Sequence, residues 1–65
     1  MKLKDLKERI DYLVINHPEL AEELVAAEHD VLYLPAPKEK SKDFKKKLEE
    51  WGCGLEDNET IYCFV

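Results

Sequence analysis

Thr60-Ile61-Tyr62-Cys63-Phe64-Val65 is a run of β-branched, aromatic and small apolar residues, the composition of a strand. Side chains alternate along a strand, so Ile61, Cys63 and Val65 share one face and Tyr62 and Phe64 the other. Both faces are apolar, and both need cover. The architecture follows from what the rest of the chain can offer as that cover.

Working outward, Glu56-Asp57-Asn58-Glu59 reads as a polar turn, and Leu55 as a residue packed behind a helix end. The helix before it is well marked. Ser41 is a natural N-cap, Phe44, Leu48 and Trp51 fall on one face, and Gly52 supplies the left-handed stop. Farther upstream, Val31-Leu32-Tyr33-Leu34 reads as a short strand ended by the stiff Pro35-Ala36-Pro37 connection, with Lys38 to Lys40 continuing the loop. Strand, helix and strand in that order predict a right-handed βαβ unit with parallel strands.

Leu3, Leu6, Ile10 and Leu13, widened by Val14, predict a first amphipathic helix. Asn16-His17-Pro18-Glu19 reads as a helix stop followed by a helix start, with proline suited to the first turn. Leu20, Leu24 and Ala27 then share a helical face. The alternative for Glu23-Leu24-Val25-Ala26-Ala27 is a strand turning at Glu28-His29-Asp30, but its alanine and glutamate content favours helix. The expected order is ααβαβ. This is a single α/β (α+β) domain over residues 1–65 with a short two-stranded sheet. Two strands leave open edges and an uncovered face, which predicts extension of the sheet across a two-fold homodimer.

A chain of 65 residues is one domain. At this size only about 60% of the unfolded surface is buried, and the core supplies roughly 3–5 kcal/mol unless something staples it. Cys53 and Cys63 are the cysteines. Met1 is followed by Lys2-Leu3-Lys4-Asp5-Leu6-Lys7, a charged start with no secretory h-region, so a cytoplasmic setting and two reduced packing cysteines are expected. No apolar run approaches the roughly 18 residues of a membrane span, so no membrane association is expected.

The net charge is −5, unevenly placed. Residues 1–30 hold four bases against eight acids, whereas residues 31–50 hold six lysines against Glu39, Asp43, Glu49 and Glu50. An acidic total argues against generic nucleic-acid binding, while a local basic patch keeps that alternative open.

No residue pattern points to catalysis or a cofactor. A zinc site would draw on His17, His29, Cys53 and Cys63, but the cysteines are ten apart and the histidines twelve apart, far from ligand-pair spacing. Cys53 sits between Gly52 and Gly54 at the negative end of a helix, which disfavours a thiolate, and neither histidine is near it in sequence. Gly52-Cys53-Gly54 follows a helix instead of joining a strand to one, so it is no dinucleotide fingerprint.

The basic run is the local oddity. Lys42, Lys45, Lys46 and Lys47 occupy the early part of a helix whose last turn holds Glu49 and Glu50, which opposes the helix dipole. The Lys45–Glu49 and Lys46–Glu50 spacings also run in the weaker orientation, at a cost of a few tenths of a kcal/mol each. Broken local rules without visible compensation often mark function. With Lys38 and Lys40, this segment is suited to an acidic protein face or a phosphate backbone. The lack of arginine and of interleaved aromatics weakens the second option.

The opening Met1-Lys2-Leu3-Lys4-Asp5-Leu6-Lys7-Glu8-Arg9-Ile10, followed by a Pro-Glu joint, resembles small uncharacterised bacteriophage proteins. Those begin with a short amphipathic helix of the Glu/Asp-Leu-x-x-x-Ile/Leu type and then turn through an acidic segment into a strand. The resemblance covers the first half of the chain. It implies a phage or prophage origin and a host-cytoplasm setting, and it assigns no site residues. The alanine-rich second segment and the lysine-rich helix depart from that pattern.

The reading is a small accessory or regulatory protein that acts by binding another protein, as a homodimer, without catalysis. Lys42, Lys45, Lys46, Lys47, Tyr62 and Phe64 are its candidate partner-binding residues. A nucleic-acid module using Lys38 to Lys47 is the alternative.

Overall fold

The computed structural model describes residues 1–65. It is mixed α+β, as expected, with two helices and one four-stranded sheet. Helix α1 runs Leu3–Asn16 and is followed by a single 3-10 turn, Pro18–Leu20. Strands β1 (Ala26–Glu28) and β2 (Val31–Pro35) form a hairpin, α2 spans Lys42–Trp51, and β3 (Gly54–Glu56) and β4 (Thr60–Phe64) form a second hairpin. The sheet order is β1-β2-β4-β3 and every neighbouring pair is antiparallel.

The expected parallel βαβ unit is therefore corrected. The chain leaves α2 into β3, reverses, and only then reaches β4, so β4 runs against β2. Asp57 and Asn58 make that reversal, with φ of 54° and 59°. Both values match a type I′ hairpin turn, and Asp and Asn adopt such angles more readily than most residues. The Glu59 N–H closes it on the Glu56 carbonyl at 3.2 Å.

The second helix is corrected as well. Pro18 does start a helical turn, but it ends at Leu20, and Ala26–Glu28 pairs with β2 through Ala26↔Tyr33, Ala27↔Leu32 and Glu28↔Val31. Helix propensity is worth only tenths of a kcal/mol per residue here. Pairing instead satisfies a row of β2 backbone groups that would otherwise lie on an open edge. The strand alternative for Glu23–Ala27 is thus the one adopted in part, with the turn at His29 (φ 54°) and Asp30.

Helix α2 forms where the sequence placed it. Ser41 Oγ accepts the Phe44 N–H at 3.1 Å. Gly52 adopts φ 70°, and the Cys53 N–H reaches back to the Leu48 carbonyl at 3.0 Å. Together with the Gly52 N–H on Glu49, this is a Schellman stop, which a residue with a Cβ forms only under strain.

The core lies between the helices and one face of the sheet. Leu34, Ile61 and Cys63 from the sheet meet Leu13 of α1, Leu20 of the 3-10 turn, and Phe44 and Leu48 of α2. Leu32 and Leu55 sit beside them, as the register Leu32↔Cys63, Leu34↔Ile61 and Leu55↔Ile61 requires. Phe44, Ile61 and Cys63 have no exposed surface at all.

Two further expectations fail. Of the apolar stripe on α1, only Leu13 is buried, while Leu3, Ile10 and Val14 stay exposed. The helix is rotated so that Arg9 and Tyr12 meet α2 instead. Arg9 Nη2 donates to the Trp51 carbonyl at 3.0 Å, and the Tyr12 hydroxyl donates to Asp43 at 2.6 Å. The cysteines are not two reduced packing residues either: Cys53 and Cys63 are joined by a disulfide. The α2 stop sets Cys53 beside the buried middle of β4, with a Cα separation of 4.7 Å that a disulfide spans. A small core is stapled this way.

Candidate functional site

The alternation along β4 that places Ile61 and Cys63 in the core turns Tyr62 and Phe64 outward. The register carries that outer face across the sheet. Phe64 lies opposite Val31, which lies opposite Glu28; Tyr62 lies between Tyr33 and Gly54, and Tyr33 is next to Ala26; Thr60 lies between Pro35 and Glu56. None of these residues belongs to the core or packs against it. Both helices contribute their buried side chains to the other face, so no helix covers the outer face, where Val31, Tyr33 and Tyr62 are partly buried among their neighbours and Phe64 is exposed.

The aromatic groups on it are positioned. A Cβ built on Gly54 would come within 2.5 Å of the Tyr62 ring, so the ring lies directly over the glycine. Phe64 meets Tyr62 edge-on, with centroids 6.1 Å apart and planes at 81°. Phe64 remains 66% exposed, far more than a residue with a cover of its own would be.

Charge is sorted by layer. All ten lysines and arginines lie in residues 2–9 and 38–47, on α1, α2 and the loop before α2. The hairpins, residues 26–35 and 54–64, contain Glu28, Asp30, Glu56, Asp57 and Glu59 and no lysine or arginine. The bare face is therefore aromatic at its centre and acidic at its margins.

The lysine cluster lies on the other layer. Lys42, Lys45 and Lys46 are exposed on α2, away from the buried Phe44 and Leu48. The i,i+4 pairs anticipated from Lys45 and Lys46 are replaced by one pair, Lys47–Glu50, at 3.5 Å. Lys47 is partly covered and its Nζ lies 5.8 Å from the Tyr12 ring centre, so it braces the seam between the helices. Lys40 folds back onto the Pro37 and Lys38 carbonyls. The six candidate residues thus fall into two groups that the fold separates: four lysines on α2, of which Lys47 is paired with Glu50 and the other three are free, and Tyr62 with Phe64 on the outer sheet face.

Sequence reading missed the remaining members of the face. Val31 and Tyr33 stood in a recognised strand, and their alternation with Leu32 and Leu34 was the available signal. Their place beside Tyr62 depended on the antiparallel register.

Two open grooves adjoin each other at the 3-10 turn. The larger, about 530 Å³, is lined by His17, Glu19, Glu23, Lys38, Glu39 and Ser41 among others. Its charges are of both signs, and the His17 ring is held edge-on by Tyr12 and Phe44, with Glu19 at 3.8 Å. No nucleophile pairs with a base there, and no group of three or more His, Cys, Asp or Glu converges anywhere in the molecule. The one strongly perturbed group is Tyr12, whose phenol is pushed up to about 12 by burial and by its hydrogen bond to the Asp43 carboxylate. That is a structural link between the helices. No helix is long and apolar enough to cross a membrane.

No protein-family model, curated protein or solved structure matches this chain significantly.

Proposed function

We propose that this protein is a small accessory or regulatory module that binds another protein and has no catalytic activity of its own. The observation that carries the reading is the bare outer face of the sheet, where Val31, Tyr33, Tyr62 and Phe64 stand without a helix over them. Aromatic side chains held in place are the usual anchors of protein contacts, because they offer large area at little entropic cost. A tagged pull-down from bacterial lysate tests it, run with and without nuclease and repeated with Tyr62→Ser/Phe64→Ser. The expected result is a discrete protein retained after nuclease and lost in the variant, with the variant's melting curve little changed. Equal retention by the variant would contradict it.

A homodimer formed by sheet extension belongs to the same proposal. Strand β1 is an edge with all three residues exposed, and it carries none of the lysine or proline that commonly guards an edge. Leu24 and Val25, which lead into it, are 92% and 63% exposed. Two-fold pairing of β1 with its copy about Ala27 sets Glu28 opposite Ala26 and avoids opposing like charges. Sedimentation of Ala27→Pro, which removes an edge donor, is expected to show only monomer.

The free lysines of α2 support the nucleic-acid alternative. Its signature is binding that weakens steeply with salt. The resemblance of the opening helix to small phage proteins adds a phage or prophage origin and a cytoplasmic setting to the proposal. The Cys53–Cys63 bridge works against that setting, since such bridges persist mainly in oxidising compartments. A thiol count on protein alkylated at the moment of lysis decides between them.

A further inference from the structure

We infer that the partner segment on the outer sheet face is a cationic, extended peptide whose two basic side chains stand about six residues apart. The inference rests on the outer face being the binding surface. It adds what that face recognises.

The outer face has a carboxylate at each of two opposite corners. Glu28 lies on the β1 edge in the row of Val31 and Phe64, and Glu56 lies on the β3 edge in the row of Thr60 and Pro35. Three strand spacings separate the edges and four residues separate the rows along β2, which puts the corners roughly 20 Å apart. The diagonal between them passes over Val31, Tyr33 and Tyr62, with Phe64 to one side. An extended peptide rises about 3.3 Å per residue and sends alternate side chains to one side. Basic residues at its first and seventh positions therefore reach both carboxylates, while apolar residues at the third and fifth rest on the aromatic rings.

Three features favour cations here over other occupants. No lysine or arginine lies on either hairpin, and the one basic side chain there is His29, whose Nε2 is 3.9 Å from the Glu28 carboxylate but which is 88% exposed and free to swing aside for an arginine. The exposed Phe64 ring, and the side of the Tyr62 ring turned away from Gly54, attract ammonium and guanidinium groups directly. A phosphate backbone, by contrast, meets only carboxylates at the margins of the face, which sets this sheet apart from aromatic sheets that bind single-stranded nucleic acid. The Tyr62 ring is already seated on Gly54, so little ordering remains to oppose binding.

The test is a titration of the isotope-labelled, disulfide-bonded protein, followed by backbone amide and aromatic NMR shifts. Four probes are used. The first is the end-capped peptide Arg-Ser-Val-Ser-Val-Ser-Arg, and the second has the same composition with its arginines adjacent. The third has both arginines replaced by glutamate, and the fourth is a short oligothymidylate. The expected result is that the first peptide shifts Val31, Tyr33, Tyr62 and Phe64, and that the second and third bind at least about fivefold more weakly. Equal binding of all three peptides at this face, or oligothymidylate shifts there, overturns the cationic inference and leaves a binding face in place. Shifts confined to the helices, or none with any peptide, also overturn it. The binding-module reading is then judged separately by the Tyr62→Ser/Phe64→Ser pull-down.

Discussion

The two faces of β4 carry nearly the same apolar content and have opposite fates. Ile61 and Cys63 are wholly buried, while Tyr62 is only partly buried and Phe64 is two-thirds exposed. The difference does not come from the strand. It comes from the helices, both of which contribute their buried side chains to the same side, leaving the sheet one layer short. A domain of this size gains more from one well-filled interface than from two thin ones, and the other face is left without a helix over it.

The sharpest way to break that comparison is to remove an aromatic ring from each side. Phe44→Ala deletes a fully buried ring beneath the sheet and is expected to cost about 3–5 kcal/mol, close to the whole stability of such a small core. Phe64→Ala on the bare face should change stability by no more than about 0.5 kcal/mol. Paired thermal melts read both; comparable losses would mean that the outer face is covered after all.

Next comes the bridge, which joins the buried side of β4 to the α2 stop. Its cysteines are ten residues apart, a loop whose closure is worth about 2–3 kcal/mol. Denaturation of the Cys53→Ala/Cys63→Ala variant, or of the wild type in reductant, is expected to show that loss. Unchanged midpoints in reductant would remove the staple from the account.

Smaller effects sharpen the picture. Gly54→Ala pushes the Tyr62 ring off its seat, at about 0.5–1 kcal/mol because the ring swings outward into open space. The expected signature is a large movement of the Tyr62 ring resonances with a nearly normal melt.

The last effect is seen only in alkali. The Tyr12 phenol, raised to about 12 in the fold from an ordinary value of 10.0, is favoured in its protonated form by the folded state. That contribution is complete below pH 10 and is lost as pH rises toward 12. Stability should fall across this window, and Tyr12→Phe should lack that part of the decline.

The comparison of the two helices shows where the sequence was readable. In α2, cap, buried face and stop are local features, and each agrees with the others: Ser41, then Phe44 and Leu48, then Gly52. In α1 the leucine and isoleucine spacing was clear, yet the face it named is half in solvent, because the docking of Arg9 and Tyr12 on Trp51 and Asp43 sets the rotation. Strands β1 and β3 are three residues each, too short for alternation to announce them, and both exist by pairing with a longer neighbour. Missing β3 turned an antiparallel sheet into a parallel one. Missing the antiparallel register hid the nearness of Cys53 to Cys63, and with it the disulfide. Period-two alternation alone put Tyr62 and Phe64 on a common face of the strand, but that this face is the outer one followed only from both helices packing against the other. Tyr33, Val31 and the two corner carboxylates needed the register.

The central claim is that recognition belongs to the acidic, aromatic sheet face and not to the basic helix. The most direct measurement compares the dissociation constant of Arg-Ser-Val-Ser-Val-Ser-Arg for Glu28→Gln/Glu56→Gln with that for Lys45→Gln/Lys46→Gln. The first variant is expected to bind about fivefold more weakly, and the second to bind as the wild type does or slightly more tightly. Weakening by the lysine variant, with the glutamate variant unaffected, would contradict it.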